Sequence, residues 1–138
     1  MTYPVDNEVV TFNYNNNTQL VSVTGADTYA QSIAYDSASR MTSRELGNGL
    51  VQTYDYYAWN VQGGRLENLS TGSLQNFTYQ YDPVGNINSI SDSVNSQTQT
   101  FAYDALDRLV TAGATGDTSQ GGYATETYGY DAATGNLS

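Results

Sequence analysis

Phe101-Ala102-Tyr103-Asp104-Ala105-Leu106-Asp107-Arg108-Leu109 is the stretch on which the fold turns. Its two aromatics stand two residues apart. In a strand, residues i and i+2 face the same side, so Phe101 and Tyr103 present one apolar surface. Asp104 follows, placed to bond the backbone N–H groups of a coming turn. After the turn Leu109 returns to the side that Tyr103 faces. The stretch reads as a tight β-hairpin.

The same pattern recurs along the chain. Tyr35-Asp36-Ser37-Ala38-Ser39-Arg40-Met41 and Tyr81-Asp82-Pro83-Val84-Gly85-Asn86-Ile87 have its length. Tyr130-Asp131-Ala132-Ala133-Thr134-Gly135-Asn136-Leu137 carries one extra residue, and Tyr14-Asn15-Asn16-Asn17-Thr18-Gln19-Leu20 has Asn for Asp. A stretched copy opens at Tyr54-Asp55 and closes at Gly64-Arg65-Leu66, with Tyr56, Tyr57 and Trp59 in its insert. The motif tyrosines are Tyr14, Tyr35, Tyr54, Tyr81, Tyr103 and Tyr130, spaced by roughly twenty to twenty-seven residues. That period suits stacked repeat units. Phe12, Ile33, Tyr79 and Tyr128 supply the companion two residues before a motif tyrosine. Gly85 and Gly135 can take the positive φ that closes a tight turn.

Second turns lie between the motifs, at 24–27, 47–49, 70–73 and 91–93. Gly47-Asn48-Gly49, between Glu45-Leu46 and Leu50-Val51, is the clearest hairpin signal among them. Each unit therefore holds two short strands and two turns, which predicts roughly ten to twelve strands. No segment keeps a helical period. The insert from Tyr56 to Gly63 and the stretch from Ala112 to Gly122 read as lengthened loops. The expectation is an all-β chain of stacked antiparallel hairpins, one continuous array over residues 1–138.

Composition narrows the function. The chain has 138 residues, with 4 Lys plus Arg against 14 Asp plus Glu, a formal charge of −10. Such acidity repels phosphate backbones and argues against nucleic-acid partners. Thirteen tyrosines with a charged fraction of 13% argue for a folded sheet over disorder. The chain has no Cys and no His, so disulfides are excluded and the usual zinc and haem ligands are missing. No apolar run approaches the ~20 residues of a membrane helix, so no membrane insertion is expected. The start, MTYPVDNEVV, lacks the basic and apolar segments of a signal peptide. A secreted or cell-surface setting would therefore need an export signal outside these residues.

The pattern Tyr-Asp-x-x-Gly-Arg-Leu, repeated every twenty-odd residues, resembles the YD or RHS repeat family. The resemblance covers nearly the whole chain. Asn15 departs from it at Asp, and Ser39 and Asp107 depart from it at Gly. RHS proteins, toxin-complex C subunits and teneurins are similar in carrying long arrays of this kind. The resemblance implies hairpins that wind into a spiralling sheet around a hollow shell. In bacterial members that shell holds a toxic C-terminal domain, released by aspartyl self-cleavage. With about six units, and stopping inside a motif, the chain looks like a fragment of a longer array or an assembling repeat unit. It shows neither a core-closing segment nor a toxin domain, so self-cleavage is not carried over to it.

Chemical sites are weighed against plain structural roles. Asp36, Asp55, Asp82, Asp104 and Asp131 recur at one position and could form a ladder of Ca²⁺ ligands. Capping of turns is the favoured reading, because Asn15 fills the place equally well. The other acidic residues are Asp6, Glu8, Asp27, Glu45, Glu67, Asp92, Asp107, Asp117 and Glu126. They show no spacing that selects a catalytic pair. The motif tyrosines are expected to pack against neighbouring hairpins. Tyr56, Tyr57 and Trp59 could instead offer a stacking surface for glycans. Asn16, Asn68 and Asn76 are N-glycosylation acceptors by sequence. Arg40, Arg108 and Leu109 complete the motif. The expected role is structural and non-catalytic, without a cofactor: the wall of an extracellular shell, scaffold or filament. Its expected partners are its own sheet edges and neighbouring repeats, glycans, or an enclosed passenger domain.

Overall fold

The computed structural model of the chain describes residues 7–116, 119 and 122–138. The described residues form eleven strands and one short helix. In chain order these are β1 (Thr11–Tyr14), β2 (Leu20–Thr24), β3 (Thr28–Tyr35), β4 (Met41–Leu46) and β5 (Val51–Tyr56). There follow α1 (Trp59–Gln62), β6 (Leu66–Thr71), β7 (Gln75–Tyr81), β8 (Ile87–Asp92), β9 (Gln97–Tyr103), β10 (Leu109–Gly116) and β11 (Glu126–Thr127). Within each of its two compact units, neighbouring strands follow the chain order. An all-β array of antiparallel hairpins is therefore what the chain folds into, as its repeat spacing predicts. The chain divides into two compact units, Met1–Asp55 with Leu69–Leu74, and Tyr56–Asn68 with Gln75–Ser138.

In the first unit β1 pairs β2, β2 pairs β3, β3 pairs β4 and β4 pairs β5, all antiparallel. Tyr14 lies opposite Leu20, and Tyr35 opposite Met41. A register shift falls just before each tyrosine, between Asn13 and Tyr14 and between Ala34 and Tyr35. Such bulges sharpen local twist and re-aim a side chain. The Gly47-Asn48-Gly49 turn joins β4 to β5. Gly49 N–H donates to the Leu46 carbonyl at 2.9 Å and Leu50 N–H to Asn48 Oδ1 at 3.1 Å. Gly49 has φ +82° there, a conformation that glycine adopts without penalty. Val10, Ala30 and Ile33 are the buried apolar residues of this unit.

In the second unit β7 to β11 form successive antiparallel pairs. Tyr81 lies opposite Ile87, Tyr103 opposite Leu109, and Tyr130 opposite Leu137. The register sorts the side chains by face. Tyr79 meets Ile90 and Phe101 meets Ala112, whereas Thr78, Ser91, Thr98 and Thr115 form one polar row across four strands. Burial is shallow. Ala112 and Ala114 are the buried apolar residues, and the motif tyrosines Tyr81, Tyr103 and Tyr130 are half-buried. Ordering so thin a layer must draw on contacts between neighbouring hairpins.

Two segments depart from the loops that the sequence suggests. The insert contains α1, a single helical turn ended by Gly63 at φ +61°. The stretch from Ala112 begins as strand, because β10 runs on to Gly116 and pairs with β9 along its length. Small residues hide this in the sequence. Ala112 and Ala114 keep the apolar face, and Gly113 and Gly116 let neighbouring backbone approach. Residues 117, 118, 120 and 121 of that stretch lie outside the described residues.

Gly47 has a close backbone neighbour. A Cβ at Gly47 would run into the carbonyl oxygen of Thr28. Gly47→Ala is expected to lower stability by about 1–3 kcal/mol, the usual range for overpacking. Urea denaturation of the two proteins measures it, and equal midpoints would contradict this placement.

Candidate functional site

The repeated turn is built from one carboxylate. Asp104 Oδ1 accepts from Leu106 N–H at 2.8 Å and from Arg108 N–H at 3.0 Å. Its Oδ2 accepts from Arg108 Nε at 2.8 Å, and Arg108 Nη2 lies 2.7 Å from the same oxygen. Asp36 makes the same set with Ala38 N–H, Arg40 N–H and the Arg40 guanidinium. Asp82 accepts from the backbones of Val84, Gly85 and Asn86, and from Asn86 Nδ2. Asp131 accepts from Ala133 N–H and from Thr134 N–H and Oγ1. In the first turn Asn15 Oδ1 takes Asn17 N–H and Gln19 N–H. One side chain thus satisfies donors that a tight reversal would leave without partners.

The glycine of the motif turns out to be a conformation more than a residue. Gly85 and Gly135 have φ of +107° and +73°, as the sequence suggests. Thr18, Ser39 and Asp107 occupy the same slot at φ +61°, +63° and +59°. The turn geometry therefore survives the substitutions, and those three residues carry its left-handed cost of about 1–2 kcal/mol each.

The stretched repeat opens two residues later than Tyr54-Asp55. Tyr57 N–H donates to the Arg65 carbonyl at 2.9 Å, the bond that Asp104 N–H makes to the Arg108 carbonyl. Tyr56 and Tyr57 thus hold the motif positions. Asp55 is an exposed residue of β5, and the Tyr54 hydroxyl donates to Gln52 Oε1 at 2.5 Å. The reason is local. A helical turn with bonds from Val61 and Gln62 N–H to the Ala58 carbonyl satisfies the insert's own backbone, so no carboxylate cap is needed. The signal was legible in the pair Tyr54-x-Tyr56, which has the aromatic spacing of Tyr79-x-Tyr81.

A second bond joins one hairpin to the next. The Tyr35 hydroxyl donates to the Leu20 carbonyl at 2.8 Å, and the Tyr81 hydroxyl to the Leu66 carbonyl at 2.9 Å. Tyr103 reaches the Ile87 carbonyl at 2.9 Å and Tyr130 the Leu109 carbonyl at 2.8 Å. Each acceptor is the aliphatic that closes the preceding motif. Arginines of that preceding motif lie over the same rings, Arg108 at 4.2 Å from the Tyr130 centroid and Arg65 at 5.6 Å from Tyr81. Where the slot holds Asn86, its Nδ2 donates to Asp107 Oδ1 of the next turn at 2.9 Å.

The remaining candidates fall as follows. Tyr57 is half-buried, its ring edge-on to Tyr81 and its hydroxyl donating to the Tyr79 carbonyl at 3.0 Å. Tyr56 is half-buried too, whereas Trp59 is 64% exposed. Asn16 is exposed at its turn. Asn68 is half-buried, and its Nδ2 donates to Asn76 Oδ1, the Phe77 carbonyl and Thr78 Oγ1. A glycan on Asn68 would leave its Nδ2 a single N–H for these three acceptors. Asp6 and Asp117 lie outside the described residues. Among the described residues no three of His, Cys, Asp and Glu gather in a group able to hold a metal ion. Two caps were not singled out in the sequence. Asp92 accepts from Val94 and Asn95 N–H in the turn after β8, and Glu8 accepts from Ala26 N–H and the Tyr29 hydroxyl.

These contacts move titrations. The backbone bond from Arg40 holds Asp36 below the ordinary carboxylate range, and the Arg108 side chain and backbone do so for Asp104. At Asp131 the Thr134 backbone is the main cause. At Asp82 burial pushes upward, and the bonds from Asn86, Gly85 and Val84 outweigh it. Burial raises Tyr103, with Asp82 adding to it. Burial also raises Tyr81, with Tyr79 and Tyr57 contributing.

Hairpins in series, most of them closed by a side-chain-capped turn and four of them bonded to the hairpin before, define a β-hairpin repeat protein. Residues 81–119 match the family model described as RHS Repeat. The chain is 34% identical over 89 residues to the double-stranded DNA deaminase toxin A of Burkholderia cenocepacia (strain H111), covering 56% of this chain and 6% of that protein. It is 31% identical over 97 residues to toxin subunit YenC2 of Yersinia entomophaga, covering 58% of this chain and 10% of the relative. The crystal structure of TcdB2-TccC3 shares its fold, with a TM-score of 0.76 at 24% identity over 96% of this chain and 8% of that one. The chain thus spans a tenth or less of each of these proteins. Residues 81–119 carry an RHS repeat, and the chain as a whole is similar to YD-repeat, or RHS-repeat, proteins.

The capped turn and the tyrosine bond between hairpins have measurable consequences. The turn aspartates are depressed in the folded state, so their contribution is fully present above about pH 4 and is lost as pH falls through the folded values. Tyr81 and Tyr103 are raised, so their contribution is fully present below about pH 10 and lost as pH rises through the folded values. Melting temperature against pH should show a plateau between those limits, and a flat profile through pH 3 would contradict the capping geometry. Ser39→Gly should stabilise the chain by roughly 0.5 kcal/mol, the left-handed cost less glycine's added backbone entropy. Gly85→Ala should act in the opposite direction, and denaturation midpoints decide both.

Proposed function

We propose that the chain is a non-catalytic structural module, a length of wall in an extracellular shell, scaffold or filament. The observation that carries this reading is the tyrosine hydroxyl bonded to the closing aliphatic of the preceding hairpin. It joins units through the motif residues themselves, so the motif is used up in building. The turn carboxylates are likewise spent on their own backbones. We read residues 1–138 as one continuous array whose open sheet edges take up further strands, since an unpaired edge templates pairing. That two relatives are named as toxins supports an exported setting.

A second reading has specific support. YenC2 is named a toxin subunit, and TcdB2-TccC3 shares the fold. A wall segment in such an assembly would face an enclosed passenger domain. The glycan-binding alternative narrows to Trp59, the exposed aromatic of the insert.

Coupling between neighbours tests the wall. Tyr103→Phe removes the donor to the Ile87 carbonyl and should cost about 1–3 kcal/mol if that acceptor is left without a partner. Hydrogen exchange should then quicken in β8, where Ile87 lies, as well as in β9. Loss of protection confined to β9 would count against hairpins that share stability.

A further inference from the structure

Successive motif turns of the second unit touch through one pair of positions. The first position is the residue just before a motif's closing aliphatic, held by Arg65, Asn86 and Arg108. The second is the left-handed residue of the turn that follows, held by Gly85, Asp107 and Gly135. Asn86 divides its amide N–H groups between two turns. It donates to Asp82 Oδ2 of its own turn at 3.1 Å and to Asp107 Oδ1 of the next at 2.9 Å. Arg108 gives Nε and Nη2 to its own Asp104, and its Nη1 lies 3.5 Å from the Gly135 carbonyl oxygen. Arg65 Nη1 donates to the Gln62 carbonyl at 3.1 Å. The rest of that guanidinium, Nη2, Cζ and Nε, fills the space that a Cβ at Gly85 would need. An added methyl there would push Arg65 away from its place over the Tyr81 ring.

Side-chain length explains the match. A guanidinium reaches the backbone of the next turn, so the residue it meets carries no side chain. An asparagine stops short, and Asp107 supplies the atoms that meet it. Asp107 sits at φ +59°, and the bond from Asn86 offsets that left-handed cost. We propose that these two positions form a recognition pair that selects which hairpin can follow which. Arginine accepts a turn with glycine in the left-handed place, and asparagine accepts one with aspartate. The motifs are otherwise near copies, and misassembly between like units is the characteristic failure of repeat proteins. A pair that differs from junction to junction opposes it. The inference rests on the wall reading, in which neighbouring hairpins stabilise one another.

Two double-mutant cycles on the full chain, read by urea denaturation, test it. The first joins Arg65→Ala to Gly85→Ala. Gly85→Ala should raise the unfolding equilibrium constant at least about threefold more in the unsubstituted chain than in Arg65→Ala, the ordinary scale of coupling between touching residues. The second joins Asn86→Ala to Asp107→Gly, and Asn86→Ala should cost less in the Asp107→Gly background. Additive effects in either cycle would overturn the pairing, since residue 85 would then answer to its own φ alone or Asn86 to its own turn alone. A midpoint unmoved by Tyr103→Phe would instead overturn the wall reading beneath it, a result separate from additivity in the cycles.

Discussion

The structure depends on a phenolic hydroxyl that crosses from one hairpin to the backbone of the hairpin before it. Tyr35, Tyr81, Tyr103 and Tyr130 make this bond, each at 2.8–2.9 Å. A two-stranded hairpin alone is marginal in water. The burial here is too shallow to rescue it, with only small or single aliphatic residues fully covered. Tyrosine solves both parts of that difficulty. Its ring gives the sheet an apolar layer, and its polar tip gives a directed bond to the neighbour. Repeat stability then comes from junctions between units as much as from any one unit.

The turn serves the same end from inside the hairpin. The register between Tyr103 and Leu109 exists only because the chain reverses tightly between them. Asp104 holds that reversal by gathering backbone donors, and the arginine that closes it is oriented by the same carboxylate. Arg108 then lies over Tyr130 of the next unit. Cap, cation and ring are thus one chain of contacts, so each motif residue acts on the hairpin beyond its own. Leucine at the close of the motif contributes a carbonyl as well as a side chain, and any aliphatic offers that carbonyl. This explains why Leu20, Leu66, Ile87 and Leu109 are interchangeable there.

The polar groups of the repeated motif are committed to turns and to junctions between hairpins. Asp36, Asp82, Asp104 and Asp131 cap turns, Arg40 and Arg108 pair with two of those carboxylates, Arg65 and Arg108 lie over rings, and the hydroxyls of Tyr35, Tyr81, Tyr103 and Tyr130 join hairpins. The toxins and the TcdB2-TccC3 structure to which the chain is similar are far larger, and the chain accounts for a tenth or less of each.

Several features were readable from residues alone. The i, i+2 aromatics, the Tyr-Asp opening and the Gly47-Asn48-Gly49 turn disclosed an antiparallel hairpin array, because strand periodicity and turn chemistry are local. Local pattern misplaced the stretched unit, where Asp55 imitated a cap, and it missed β10 beyond Ala112, where small residues carry no aromatic signal. The capping role of Asp92 and Glu8 was hidden for the same reason, since neither follows a tyrosine in the motif. The partner of each tyrosine hydroxyl lay beyond sequence reading altogether. Tyr35 meets Leu20 and Tyr130 meets Leu109, pairs separated by 15 and 21 residues. Backbone carbonyls are identical in every residue, so only the register of strand on strand decides which one a hydroxyl can reach.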